Sequence, residues 1–341
     1  MDNSRHPPSE GEGSMTSAKA SEAAPGPTAL PIIDVSLLDA PAPDSRARLA
    51  RQLDRACQDS GFFYVTGHGI PTELIDAVFR QSRALFALPE HSKRQLDKAR
   101  SAANRGYEPL RGQTLEPGAP PDLKEGFYIG EELDEGDPRV RAGRFNQGPN
   151  QWPQALPDFA PVMMRYFDAM NRLSARIMTA LALALGLPTD HFRAFCEQPL
   201  STLRLLHYPP QPAHASPGEK GCGAHTDFGG ITVLLLDEHP GLQIWDHRHR
   251  RWLQADPVPG TFVVNLGDMI ARWTNDRYRS TLHRVVNLSG AERYSVPFFY
   301  SGNPDHEVRC LPNCLAAGEQ PRYPATTVER HLIEMYRKTY A

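Results

Sequence analysis

From Ser201 onward the chain alternates short apolar runs with turn residues: TLRLLHY, HTDFGGITVLLL, LQIWD, WLQAD, TFVVNLG, STLHRVVNL and RYSVPFFYS. Runs of this length, rich in β-branched and aromatic residues and regularly interrupted, predict the strands of an all-β sandwich or barrel. Earlier in the chain the spacing is helical. Leu49, Leu53, Ala56 and Cys57 recur on one helical face up to Gly61, and TELIDAVFRQSRALFALP predicts a second helix closed by Pro89. Residues 159–185 predict a long amphipathic scaffold helix of about 40 Å, with Gly186 and Pro188 as stop signals. Short strands are expected at 30–35, in GFFYVTGHGI (61–70) and in EGFYIG (125–130); the rest of 100–155 is rich in Gly, Pro and Asn and reads as irregular. The closing TTVERHLIEMYRKTY predicts a helix with Thr326 and Glu329 as a capping box. Residues 1–28 lack apolar periodicity and read as a disordered tail, within which Met15 is an alternative start to Met1. The resulting division is a tail (1–28), an N-terminal region (29–155), a scaffold helix and linker (156–200), a strand-rich core (201–306) and a C-terminal segment with a helix (307–341).

Composition narrows the function classes. The 341 residues carry a formal net charge of −3 with 23% charged residues, and no basic face or acidic tail stands out. Neither nucleic acid nor a membrane surface is an expected partner. No stretch approaches the ~18 apolar residues of a membrane span, and no apolar leader is present. The five cysteines (Cys57, Cys196, Cys222, Cys310 and Cys314) form no zinc pattern, and their odd number predicts reduced thiols in a cytoplasmic protein. A small-molecule substrate and a monomer are the expected state.

The chemistry is carried by GAHTDFGGITVLLLD (223–237). Read as one strand, it places His225 and Asp227 on the same face and Thr226 on the other. His283, in STLHRVVNL, supplies a distant third donor. Two histidines and one carboxylate in this arrangement match the facial triad of non-haem Fe(II) oxygenases. Three ligands on one side leave positions open for a bidentate co-substrate and O₂. Ten residues further on comes Arg293, with Ser295 on the same strand face. If these last two strands pair as a hairpin through a three-residue loop (289–291), Arg293 opposes Asn287, about 13 Å along the strand from His283. A five-carbon diacid and an arginine side chain span that distance, and the guanidinium grips the far carboxylate with two parallel hydrogen bonds. A loop of even length would put His283 and Arg293 on opposite faces.

His225-Thr226-Asp227, His283 and Arg293-Tyr294-Ser295 resemble the HxD…H…RxS signature of 2-oxoglutarate and Fe(II)-dependent dioxygenases, in the isopenicillin N synthase-like group. PIID (31–34), GFFYVTGHGI and ALFALPEHSK (84–93) resemble that group's N-terminal region. RLLHYPP (204–210), NLGD (265–268) and the stretch from Trp273 to Val285 resemble its oxygenase core. The resemblance implies a mainly β fold with flanking helices (α+β), built on a double-stranded β-helix (jelly roll). It implies Fe(II) on His225, Asp227 and His283, and 2-oxoglutarate on Arg293, Ser295 and Tyr208. O₂ is the oxidant, ascorbate an accessory reductant, and succinate and CO₂ the co-products of a hydroxylation, desaturation or cyclisation. Phe127 and Tyr128 resemble a segment that approaches the substrate, and Phe299 shares parity with Arg293; with Phe228 they form the expected substrate pocket. Leu206 departs from the family pattern, standing where many members have an asparagine. Three rival readings share the triad: an Fe(II) oxidase that needs no 2-oxoglutarate, a zinc hydrolase, which leaves Arg293 and Ser295 without a role, and a non-catalytic ligand-binding pseudoenzyme. His68, His207, Cys222, the basic run HRHRR (247–251) and the aromatics Tyr107 and Trp273 read as structural.

Overall fold

The computed structural model describes residues 26–27, 30–211, 218–287 and 289–340. The tail expected to be disordered lies outside the described residues except for Gly26 and Pro27, and Met15 lies outside them too. Strands are numbered in chain order. The larger sheet holds β2 (Ile32–Asp34), β3 (Phe62–Thr66), β4 (Gly106–Glu108), β5 (Glu125–Ile129), β6 (Ser201–Tyr208), β8 (Ile231–Leu236), β11 (Phe262–Leu266) and β13 (Arg293–Tyr300), in the order β2-β3-β11-β8-β13-β6-β5-β4. The smaller sheet holds β1 (Gly26–Pro27), β7 (Cys222–His225), β9 (Leu242–Asp246), β10 (Arg251–Ala255) and β12 (His283–Val285), in the order β1-β10-β9-β12-β7. A separate pair, β14 (Glu307–Val308) and β15 (Thr326–Thr327), precedes the last helix, Val328–Tyr340.

Strand parity divides the larger sheet into two faces. Phe63, Val65, Leu203, Leu205, Val264, Val296 and Phe298 point outward and join the main apolar core with the long helix Phe159–Ala184. That helix spans the stretch predicted for it. Phe62, Tyr64 and Val263 point inward and meet Leu242, Ile244 and Ala255 of the smaller sheet. The two sheets thus pack face to face, as in the expected jelly roll, and the rest of the interior is mixed, with Leu206, Leu234 and Phe299 beside Arg204, Arg293 and Ser295. Among the described residues no helix is long and apolar enough to cross a membrane.

Three sequence expectations need correction. The stretch 223–237 is not one strand: β7 ends at His225 in the smaller sheet, and after 226–230 the chain enters the larger sheet as β8. The period-two pattern cannot register a change of sheet. The 100–155 segment contributes β4 as well as β5, paired antiparallel. The capping box is also wrong by one residue. Thr327 Oγ1 accepts from Arg330 N at 3.3 Å, while Glu329 reaches away to Arg144 Nε (3.0 Å) and Phe145 N (3.2 Å).

Gly61 closes the helix Pro43–Asp59 with φ +69°, donating to Ala56 O at 2.9 Å. A Cβ there would lie 2.0 Å from the backbone oxygen of Arg279. Gly61→Ala therefore combines a left-handed backbone penalty with a backbone clash, and is expected to destabilise the fold by roughly 2–5 kcal/mol. Chemical denaturation of the two proteins checks this; a loss below about 1 kcal/mol would show that the turn relaxes freely.

Candidate metal centre

His225 ends β7 and is paired with His283, which begins β12. Asp227 follows in the crossing between the sheets. The Nε2 atoms of His225 and His283 lie 3.7 and 3.8 Å from Asp227 Oδ1, and the two imidazole centroids are 4.3 Å apart. One donor atom from each of the three lies within 4.8 Å of the others. Each donor is also held from behind. His225 Nδ1 lies 2.8 Å from Gly223 O and His283 Nδ1 3.1 Å from Thr281 O, so in the neutral rings each Nδ1–H donates to a carbonyl and each Nε2 lone pair is left for the centre. Asp227 Oδ2 accepts from Thr232 Oγ1 at 2.5 Å and Asn265 Nδ2 at 2.7 Å, which leaves Oδ1 for the centre.

The electrostatics agree with that assignment of protons. Burial lowers both histidines, and for His283 burial and neighbouring His225 bring the pKa to about 4. Burial works to raise Asp227, but the charges of His283 and His225 and the bonds from Asn265 and Thr232 outweigh it and hold the carboxyl below its ordinary value. Two neutral imidazoles and one carboxylate, converging and supported by second contacts, fit a divalent iron. A second cluster, Asp237, Glu238 and His239, also falls within metal-binding distance. One of its two carboxylates is already engaged, with Asp237 accepting from Tyr294 N at 2.6 Å and His239 N at 3.0 Å.

On one side of the triad a cavity of about 60 Å³ is lined by all three donors together with Leu206, Tyr208, Arg293 and Ser295. The hairpin expected between the strands of His283 and Arg293 does not form. β12 belongs to the smaller sheet and β13 to the larger, where Arg293 is paired with Tyr208 on β6. Arg293 thus approaches the triad across the sandwich rather than along a ladder. Asn287, its expected partner, instead binds the backbone oxygens of Pro209 and Ala291, each at 3.0 Å. The Arg293 side chain is buried at 1% exposure. Its Cζ sits 4.9 Å from the Tyr208 ring centroid, and Nε donates to His239 O at 3.3 Å. Nη1 has no partner among the described residues, nor does the guanidinium have a carboxylate within ion-pair distance. A buried, unneutralised guanidinium lining an enclosed cavity fits an anionic group placed there. Ser295 and Tyr208 line the same cavity. Leu206, with Tyr208, Cys222 and Val285, makes an apolar wall. Burial pushes the Cys222 thiol up to about 11, so it is a protonated, unpaired wall residue.

A second cavity, of about 90 Å³, opens on the other side of His225 and Asp227. Tyr128, Phe228 and Phe299 line it, and Phe299 also borders the first cavity. Phe127 does not. It is the outward residue of β5, fully buried and edge-on to Phe159 at 5.5 Å between centroids, so it belongs to the helix-covered core. Alternation along the strand gives Tyr128, and not Phe127, to the interior. Sequence reasoning missed Arg204, which shares parity with Leu206 and Tyr208 on β6 and lines both cavities. It also missed Leu332 and Tyr336, an i, i+4 pair on the last helix, which no sequence signal connects to the triad. Of the residues read as structural, Cys222 lines the triad's cavity, 3.9 Å from His225 Nδ1, while His68, His207 and the basic run stay away from the centre. His68 accepts from Ile70 N at 3.0 Å, and His207 points outward to Glu125 (2.8 Å) and stacks on Tyr294. HRHRR forms the turn between β9 and β10, where Asp246 is paired with Arg251.

The fold and this arrangement define an oxygenase of the jelly-roll class, and similarity to known proteins bears on it independently. Residues 199–302 match the 2OG-Fe(II) oxygenase superfamily and residues 30–155 the N-terminal region described for a non-haem dioxygenase in morphine synthesis. The chain belongs to the 2OG-Fe(II) oxygenase superfamily. It is 48% identical to the 2-oxoglutarate-Fe(II) type oxidoreductase hxnY of Emericella nidulans, over 92% of this chain and 91% of the relative. It is 39% identical to the 2-oxoglutarate-dependent dioxygenase citB of Monascus ruber, over 91% and 95%. Among solved structures, a full-length Neurospora crassa protein in complex with alpha-KG superimposes with a TM-score of 0.81 at 31% identity, over 91% of this chain and 96% of that one. The protein is therefore a 2-oxoglutarate-dependent Fe(II) dioxygenase acting on a small molecule, with O₂ as oxidant.

Proposed function

We propose that His225, Asp227 and His283 hold the Fe(II) of this enzyme, and that Arg293, Ser295 and Tyr208 hold its 2-oxoglutarate. The observation that carries the second assignment is Arg293: a buried guanidinium with an unpartnered Nη1, in the same cavity as the triad. When bound, the metal and keto acid supply O₂ activation coupled to decarboxylation, which yields succinate and CO₂ and oxidises a C–H bond, with hydroxylation as the default outcome. The protein's own part is to bind and orient. Gly223 and Thr281 fix the imidazole tautomers, and Thr232 and Asn265 hold one carboxylate oxygen so that the other is presented. Arg293 neutralises the distal carboxylate of the co-substrate, Tyr208 packs against the guanidinium, and Ser295 offers a hydroxyl. Leu206 and Cys222 keep the wall beside it apolar and exclude water. Tyr128, Phe228 and Phe299 present the substrate on the far side of the triad.

Anaerobic addition of Fe(II) and then 2-oxoglutarate is expected to produce a weak metal-to-ligand charge-transfer band in the visible. A protein that takes up iron but develops no such band would remove the co-substrate assignment. The five cysteines are free thiols, Cys310 and Cys314 included. They support a reducing, cytoplasmic location as part of the same proposal, which a native disulfide found by non-reducing mass analysis would overturn.

A further inference from the structure

The paired strands β6 and β13 pass both cavities, and their inward residues fall into two halves. At one end Arg293 opposes Tyr208 and Ser295 opposes Leu206, at the site assigned to the co-substrate. At the other end Phe299 opposes Thr202, and the ladder runs on to Ser301, whose N donates to Leu200 O at 3.0 Å. Strand parity puts Thr202 on the face of Arg204 and Leu206, and Ser301 on the face of Phe299 and Ser295. Thr202 and Ser301 both line the second cavity and neither lines the first. Among the described residues neither hydroxyl has a hydrogen-bond partner, and Ser301 is 7% exposed. Other polar walls of this cavity are already engaged. Arg204 is ion-paired with Glu108 and donates to Gln113 Oε1 at 3.1 Å, and Asn146 Oδ1 accepts from Asn104 Nδ2 at 2.5 Å. A Cβ on Gly229, two residues past Asp227, would lie 2.7 Å from Ser301 Oγ, so a larger residue there would cover this hydroxyl. A strand has no need of these groups: valine would serve β6 as well as Thr202 does. A hydroxyl shut away from water costs stability unless a partner arrives. A ligand that fills the cavity expels water, so it has to bring that partner itself.

The remaining walls suit a flat ligand. Tyr128, Phe228, Phe299 and Tyr336 surround the cavity, whose volume is about 90 Å³. An apolar cavity of roughly 150 Å³ takes up one benzene molecule, so there is room here for one ring and none for a second. We propose that Thr202 and Ser301 recognise the substrate, a single-ring aromatic or heteroaromatic compound. A hydroxyl, carbonyl or N–H on the ring binds these two hydroxyls while another ring position faces the triad. The proposal rests on the site reading above and names the substrate class and two of its recognition residues.

The test uses full-length protein loaded with zinc in place of iron, so that ligands bind without turnover. Calorimetry first measures 2-oxoglutarate binding. Ligand-observed NMR titrations of the loaded protein then compare p-cresol and 4-methyl-2-pyridone with toluene, which has the ring and the methyl group but no polar edge. At least one polar ring is expected to bind roughly 10-fold more tightly than toluene, the net worth of two neutral hydrogen bonds. Thr202→Val and Ser301→Ala should each weaken that ring about 5-fold and leave toluene unchanged, and the double variant should bring the two to near parity. Thr202→Ser keeps a hydroxyl and should keep most of the preference. Unchanged 2-oxoglutarate affinity reports that each variant is folded. No polar ring preferred to toluene, or a double variant that keeps the preference, overturns the proposal. So do variants that weaken toluene as much as the polar ring, because the two residues would then only shape the wall. Failure of the wild type to bind 2-oxoglutarate in the first titration would instead remove the underlying reading, and the proposal with it.

Discussion

Arg293→Gln is expected to raise the 2-oxoglutarate concentration needed for half-maximal succinate formation by roughly 30- to several-thousand-fold, the equivalent of 2–5 kcal/mol for truncating one partner of a buried charge pair. The range is wide because the cost depends on how dry the cavity is, and here Arg293 is 1% exposed and backed by the ring of Tyr208. Iron content should stay near wild type, since Arg293 donates nothing to the triad and reaches it from the opposite sheet. Lys at the same position supplies charge without the planar fork, so it should recover only part of the loss. A titration of succinate formation in the three proteins measures this. An unchanged 2-oxoglutarate requirement in the Gln variant would take Arg293 out of the co-substrate site.

His283→Ala is expected to lose most of its iron. Removing a direct donor should cost more than the ~10–100-fold in affinity typical of losing a supporting contact. The fold should survive, because β12 keeps its pairing to β9 through backbone groups, and among the described residues the hydrogen bond lost with the imidazole is the one to Thr281 O. Metal analysis after dialysis, beside circular dichroism, separates the two effects. Full iron stoichiometry in the folded variant would show that the triad is misassigned.

What the sequence could show follows from the range of each signal. The long helix was legible because one apolar stripe runs its whole length, and it covers Phe159–Ala184. The metal-donor candidates were legible because two histidines and an aspartate at a particular spacing carry chemistry whatever the local fold. Period-two reasoning placed Phe299 correctly relative to Arg293 and Ser295, because all three share β13. It failed wherever the chain changes sheet. The crossing at 226–230 and the separation of β12 from β13 are set by how two sheets close over an apolar interior, and nearest-neighbour spacing holds no record of that. Tyr336 is the extreme case. It reaches the cavity of Tyr128 from over two hundred residues away in sequence, through packing of its helix against Phe145 and Phe228.

The crossing has one more consequence. His225 and His283 are anchored in the smaller sheet, whereas Asp227 is gripped by Thr232 and Asn265 of the larger one. A metal ion held by all three donors rivets the two layers together, so occupancy and cohesion become linked quantities. By mass action, a ligand bound only by the folded state at a free concentration a hundredfold above its Kd adds about 2.7 kcal/mol to stability. With iron on this triad, the melting temperature of the protein is expected to rise with iron supply, and scarcity of the metal to shorten the lifetime of the folded chain as well as halt its turnover.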